Sequence, residues 1–253
     1  MAKPLILAFC GKGGVGKTSI SALSVRLLHE AYPNKKILAI DADPANGLAT
    51  ALGVTSSSTV DDIRKLFIEH AESGEAKAAL EILSEAKYQI FDALVEMDNI
   101  SFLAIGRPEA SGCYCKVNAY LKEVISLLAD NFNYVVIDGE AGIEQVNRRV
   151  MEKVTHLVLV SDASKKGIEV TKTIKKVATD LTMFEHDGLI LNRVNESVDV
   201  NKLDLESLNL LSVIPDDQEM MLSDVNGNSL FLLNKDSNIV KGTKKALEKL
   251  GTL

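Results

Sequence analysis

Basic charge is what this sequence is short of: 28 Lys and Arg stand against 35 Asp and Glu, for a formal net charge of −7. Tracking a nucleic-acid backbone takes a surplus of Lys and Arg gathered on one face, so the balance argues against a nucleic-acid partner. Long apolar runs are missing too. The opening MAKPLILAFCGKGG offers only about six apolar residues before its glycines, too few for a signal-peptide core or a membrane span. The expectation is a cytoplasmic protein with no membrane partner. Internal repeats, low-complexity tracts and Pro-rich linkers are absent, and Pro33-Asn34 and Ser56–Ser58 read as ordinary loops. Cysteine is scarce, with three in 253 residues, but a chain of this length buries a full core without disulfide or metal staples. With 46% hydrophobic and 25% charged residues the chain is neither disordered nor collagen-like, and residues 1–253 read as one domain.

What is present is an alternation. Near-continuous apolar runs of strand length occur at Pro4–Cys10, Lys36–Asp41, Ser101–Ile105, Tyr134–Asp138, His156–Ser161, Gly188–Asn192 and Leu210–Ile214. Apolarity without alternation marks strands buried on both faces. Helical spacing lies between them: Ile20, Leu23 and Leu27; Leu121, Val124, Ile125 and Leu128; Val170, Ile174, Val177 and Leu181. The pattern predicts an α/β fold, a mainly parallel sheet of seven to eight strands with helices on both faces and ligands at the carboxyl ends of the strands. Residues 59–98 are charged and read as a helical insertion beside the site rather than in the sheet. A last helix over 236–250 carries Ile239, Val240, Ala246, Leu247 and Leu250, a modest face suited to packing on the sheet.

Directly after the first strand and before a helix stands Gly11-Lys12-Gly13-Gly14-Val15-Gly16-Lys17-Thr18, which meets the G-x-x-x-x-G-K-[ST] spacing of a P-loop. Glycines let such a loop curl with its N–H groups toward phosphates. Lys17 reaches the β- and γ-phosphates, and Thr18 offers its hydroxyl to Mg²⁺. Magnesium needs further oxygen donors, and hydrolysis needs a group that orients water. Asp41 and Asp43 close the second apolar run and Asp138 the fourth, which brings three carboxylates to the mouth of the same loop.

With its extra lysine, Lys12, the KGGVGKT segment resembles the deviant Walker A ATPases, the group of MinD, ParA, the arsenite-pump ATPase and the nitrogenase iron protein. The resemblance implies a P-loop NTPase fold, ATP and ADP with magnesium as cofactors, and an ATP-dependent homodimer in which Lys12 reaches the partner's nucleotide. It implies catalytic roles for Lys12, Lys17 and Asp43, with Asp43 orienting the water. Asp41 and Asp138 would support Mg²⁺ through water, and Asp138 through Gly142 would form the switch that senses the γ-phosphate. Asn192 would bind the adenine edge, with the Pro215-Asp216 turn close to the base. The implied nucleotide-binding set is Gly11, Lys12, Gly13, Gly14, Val15, Gly16, Lys17, Thr18, Ser19, Asp41, Asp138, Gly142, Asn192, Arg193, Pro215 and Asp216. Glu140, inside the switch, either tunes it or faces solvent.

Cys10 reads as a small buried hydrophobe. Cys113 and Cys115 flank Tyr114 in a glycine-bounded loop just before a helix, and three readings stay open: a bland pair of thiols, a strained local disulfide, and half of a metal or cluster site. A helix N-terminus lowers thiol pKa values and readies both sulfurs for a metal. Taken together, GRPE…GCYC, the P-loop and DGEAGIEQVNRR resemble the CooC-type ATPases that mature nickel enzymes. That resemblance implies nickel, or zinc as surrogate, held by Cys113 and Cys115 of two copies across a two-fold axis. The client would be an apo nickel enzyme such as carbon monoxide dehydrogenase or acetyl-CoA synthase. An iron–sulfur ATPase or reductase like the nitrogenase iron protein and a MinD- or ParA-like positioning ATPase are the alternatives. An arsenite-pump ATPase has two tandem halves, more than 253 residues are expected to hold. The four histidines, His29, His70, His156 and His186, read as surface or satisfied residues, and Met220 and Met221 as packing residues.

Overall fold

The computed structural model describes residues 3–43, 45, 47–72, 76–106, 115–139, 142–143, 146–147, 150–181 and 183–253. In chain order the elements are β1 (Leu5–Gly11), α1 (Lys17–Ala31), β2 (Ile37–Asp41), α2 (Gly47–Leu52), α3 (Val60–Glu72), α4 (Ala76–Asp92), β3 (Val95–Met97), β4 (Ile100–Ala104) and α5 (Cys115–Ala129). There follow β5 (Tyr134–Asp138), β6 (His156–Ser161), α6 (Lys165–Asp180), β7 (His186–Val194), β8 (Leu210–Pro215), α7 (Gln218–Val225) and α8 (Asn238–Lys249). The strands form one eight-stranded sheet in the order β3-β4-β2-β5-β1-β6-β7-β8. Every pairing is parallel except β3 with β4.

Side chains alternate across a strand, so each apolar run feeds two cores at once. On β1, Leu7 and Phe9 join one buried cluster and Ala8 and Cys10 the other. The first cluster packs under α1 and α8 through Ile20, Leu23, Leu28, Ile239, Val240 and Leu247. The second packs under α3 to α6 through Ile63, Ile90, Leu121, Ile125, Ile168 and Ile174. Helices on both faces and near-continuous apolar strands are thus one fact seen twice. α8 sits so close to the sheet that a Cβ on Gly242 would come within 2.4 Å of Ile214. Its apolar face is therefore spent on β8 and unavailable to lipid. Among the described residues no helix is long and apolar enough to cross a membrane.

Three expectations are corrected. Residues 60–92 are largely helical, but Val95–Met97 pairs antiparallel with Ile100–Phe102 and closes an edge of the sheet, so the stretch 59–98 does not lie outside it. Nor do its helices merely sit beside the site: Val60, Ile63, Ala86 and Ile90 are core residues. The edge strand escaped notice because Val-Glu-Met has no apolar run. The available signal was the two-residue Asp98-Asn99 turn, with Asp98 at φ 51. On α6 the buried stripe is Ile168, Thr171, Ile174 and Ala178, rotated from the one expected, and Leu181 is 58% exposed. Met220 packs as expected, whereas Met221 is 59% exposed on α7.

Candidate nucleotide site

All the parallel strands deliver their carboxyl ends to one edge, where Lys17, Thr18, Asp41, Asp43, Asp138, Asn192 and Arg193 come together. β1 ends at Gly11 and α1 opens at Lys17, so residues 12–16 form the intervening loop, with Gly14 at φ 78 and Gly16 at φ 93. The N-terminus of α1 has no side-chain cap and no carboxylate in its first turn. Its orphan amides and partial positive charge are left to face an anion. A cavity of about 610 Å³ lies over them, lined by Gly13, Gly14, Gly16, Lys17, Thr18, Ser19, Asp43 and Arg193 among others. It adjoins a second, about 390 Å³, that shares Ser19 and Arg193 and is walled by Asn192, Pro215, Asp216, Met220 and Ile239. A cavity over the phosphate loop with a smaller, base-sized compartment beside it suits a nucleotide.

Lys17 is buried, 7% exposed, and its Nζ donates to Lys12 O at 3.2 Å. Lys12 turns to its own chain: its Nζ lies 3.2 Å from Asp162 Oδ2. Asp162 follows β6 and is folded back by Ser164, whose N–H and hydroxyl both donate to Oδ1. Despite partial burial, those bonds and Lys12 hold the Asp162 carboxyl below its ordinary range.

Asp41 and Asp138 stand opposite each other in register on β2 and β5, both fully buried. Asp41 is already engaged. Its Oδ1 accepts the Asp43 N–H at 3.1 Å and its Oδ2 the Leu48 N–H at 2.9 Å, so it braces the loop that presents Asp43 and the start of α2. Asp43 Oδ1 in turn accepts the Ala45 N–H at 2.9 Å. Asp138 is less committed: Oδ1 lies 3.2 Å from the Ser21 hydroxyl, while Oδ2 is buried without a hydrogen bond. Burial, then the charge of Asp138, raises Asp41 to about 7. Burial raises Asp138 to about 6 against the Thr18 and Ser21 hydroxyls and the Lys17 charge, which pull it down. Two buried carboxylates with one orphan oxygen, beside the Thr18 hydroxyl, form a hard oxygen set that fits Mg²⁺.

Asn192 and Arg193 end β7 against the loop, while Pro215 and Asp216 border the base-sized compartment. Gly142 is described. Glu140 and Cys113 lie outside the described residues, as does the side chain of Cys115, which opens α5. Cys10 is buried as expected. Among the described residues no group of three or more His, Cys, Asp and Glu is arranged to hold a metal ion. Asp162 and Ser21 were not foreseen: Asp162 meets Lys12 across 150 positions, and only the Ser-Asp-x-Ser turn at 161–164 hinted at it. Asp217 was also missed. It caps α7 through Met220 N–H and ties it to α8 through Ile239 N–H, which holds the wall of the base-sized compartment.

Residues 6–230 match the family described as the CobQ/CobB/MinD/ParA nucleotide binding domain. The chain belongs to that family. It is thus an ATP-binding P-loop protein of the MinD/ParA type, with the fold and site of an ATPase. An uncharacterized ATP-binding protein of Methanocaldococcus jannaschii is 37% identical over 251 residues, covering 97% of this chain and 98% of that protein. The carbon monoxide dehydrogenase accessory protein CooC of Rhodospirillum rubrum is 29% identical over 239 residues, 90% of each chain. Among solved structures, the cell division ATPase MinD of Pyrococcus furiosus matches with a TM-score of 0.69 and 25% identity over 98% of each chain.

Proposed function

We propose that this MinD/ParA-type ATPase is a homodimeric metallochaperone. In this reading it binds nickel, or zinc as surrogate, through Cys113 and Cys115 and couples ATP hydrolysis to delivering the metal to an apo nickel enzyme such as carbon monoxide dehydrogenase or acetyl-CoA synthase. The observation that carries the reading is topological. β4 leaves the sheet at the same edge as Asp41 and Asp138, and the chain returns as α5, whose first residue is Cys115. Cys115 therefore opens the helix that follows the strand ending beside Asp41. The likeness to CooC supports the choice of cargo. Two thiolates are half a tetrahedron, and a two-fold axis through this edge supplies the other half.

In the ATPase cycle Lys17 and the loop amides would hold the phosphates, Thr18, Asp41 and Asp138 would hold Mg²⁺, and Asp43 would orient the attacking water. Bound Mg²⁺ neutralises phosphate charge. The reaction is ATP plus water to ADP plus phosphate, and relaxation of residues 138–142 on loss of the γ-phosphate is the step that loosens the metal site.

Lys12 must leave Asp162 to reach a partner's nucleotide. Their side chains are 35% and 34% exposed, so the pair holds weakly. Asp162→Asn is expected to lower the ATP concentration for half-maximal dimer about twofold by sedimentation. A dimer that weakens instead would place Asp162 in the assembled interface.

Native mass spectrometry of anaerobically prepared protein with Ni²⁺ and a non-hydrolysable ATP analogue tests the cargo. The expected result is a dimer carrying one nickel or zinc that disappears in Cys113→Ser/Cys115→Ser. A dimer bearing an iron–sulfur cluster would move the assignment to cluster transfer or electron transfer. A metal-free wild-type dimer would favour the second reading, a MinD-like positioning ATPase, which the structural match to P. furiosus MinD supports.

A further inference from the structure

Asn192 was expected at the adenine edge, but its amide is turned to the phosphate loop. From a buried position its Nδ2 donates to Val15 O at 2.9 Å. The next residue, Arg193, donates from a guanidinium nitrogen to Gly14 O at 3.0 Å. Two consecutive residues of a regular strand point to opposite faces, so both could not reach one loop. They do so because β7 is irregular here: Leu191 pairs with Val213 but Val194 with Pro215, which leaves one extra residue on β7. Arg193 absorbs it at φ 56, a left-handed conformation rare for a residue with a long side chain. Such bulges re-aim side chains beside functional sites. The loop is matched to the approach, since a Cβ on Gly16 would stand 2.5 Å from Asn192 Nδ2.

A trans peptide is planar, so the Gly14 carbonyl points opposite to the Val15 N–H and the Val15 carbonyl opposite to the Gly16 N–H. Holding the two carbonyls therefore fixes two amides. We propose that Asn192 and Arg193 are positioning residues, a clamp from β7 that sets the Val15 and Gly16 amides to receive the nucleotide's phosphates. The inference rests on ATP occupying the groove over the loop. The strained backbone at Arg193 is what brings both donors to one side.

Arg193→Gly keeps the left-handed backbone without strain and removes only the guanidinium. Arg193→Ala removes the guanidinium and keeps the strain, and Arg193→Lys restores a donor of different shape. Steady-state ATP hydrolysis, inhibition by inorganic tripolyphosphate and the nucleotide-free thermal midpoint are measured for each. For Arg193→Gly and Arg193→Ala, KM for ATP and the inhibition constant for tripolyphosphate should both rise about fivefold, with kcat within about twofold of wild type. Arg193→Lys should recover part of that loss, and the midpoint of Arg193→Gly should be unchanged or higher. If tripolyphosphate inhibition is unaffected while ATP weakens, Arg193 contacts the base and the clamp is wrong. A fall in kcat at constant KM, or no change at all, would equally overturn it. A wild type that binds neither ATP nor tripolyphosphate would remove the nucleotide reading, and the clamp with it.

Discussion

Asp43→Asn should slow ATP turnover on the order of 10²- to 10⁴-fold while ATP binding stays within about twofold of wild type. Asp43 is placed for this: it lines the phosphate cavity, and its backbone N–H is anchored to Asp41 Oδ1 at 3.1 Å. Its own Oδ1 accepts the Ala45 N–H at 2.9 Å, so truncation to Ala would unmake a turn as well as remove a carboxylate. Asn keeps the acceptor oxygen and loses the charge, which isolates the chemical role from the structural one. Water orientation and proton acceptance act only in the transition state, so the loss should fall on kcat. Single-turnover phosphate release and equilibrium ATP binding separate the two. With hydrolysis stalled, the ATP-bound dimer should persist in sedimentation long after the wild type has returned to monomer. Wild-type turnover by Asp43→Asn would take Asp43 out of the mechanism, and a collapse of ATP binding would make it a ligand-holding residue instead.

Where one physical demand dominated, the sequence was readable. A strand buried on both faces must be apolar throughout, and six such runs became β1, β2 and β4 to β7, while the seventh became β8, an edge strand that leaves Val213 exposed. The P-loop was readable for a related reason, because glycines at 14 and 16 are required by left-handed backbone. β3 was missed because a three-residue edge strand need not be apolar. The stripe on α6 was misplaced because Gly167 and Thr171 are buried there, and neither looks like a core residue in a periodicity argument. Roles that depend on distant partners were hidden: Asp162 on Lys12, Ser21 on Asp138, and the turn of Asn192 toward Val15. The cysteine pair stood out in the sequence by its chemistry, and α5 opening on Cys115 agrees with the helix expected after it.

Without magnesium or nucleotide, the protein should lose stability as pH rises from about 5 to 7.5, and Asp138→Asn should remove much of that loss. Asp41 and Asp138 are raised by burial to about 7 and about 6, Asp41 additionally by the charge of Asp138. A carboxyl whose folded pKa lies above its unfolded value holds its proton longer in the folded state. Folded protein then binds more protons than unfolded between about pH 4 and 7, and stability must fall with pH through that window. His156 has the opposite sign. Burial, then the charge of His186, lowers its pKa, so it withdraws stability as pH falls through the ordinary histidine range near 6.5. The difference between wild type and Asp138→Asn cancels that contribution and leaves the carboxylate pair. Ionising Asp138 in its buried place costs on the order of 3 kcal/mol, so the variant's thermal midpoint at pH 7.5 should exceed wild type by about 5 °C or more. Only below about pH 4, where the carboxyl is protonated in folded and unfolded protein alike, should the two midpoints converge. Magnesium with ADP should flatten the wild-type slope, since a divalent cation favours the charged carboxylates, and should not rescue the variant's turnover. Parallel wild-type and variant curves across pH 5 to 7.5 would mean that the pair is not held against its own repulsion. The edge of the sheet would then not be primed for a cation by the cost of burying these two acids.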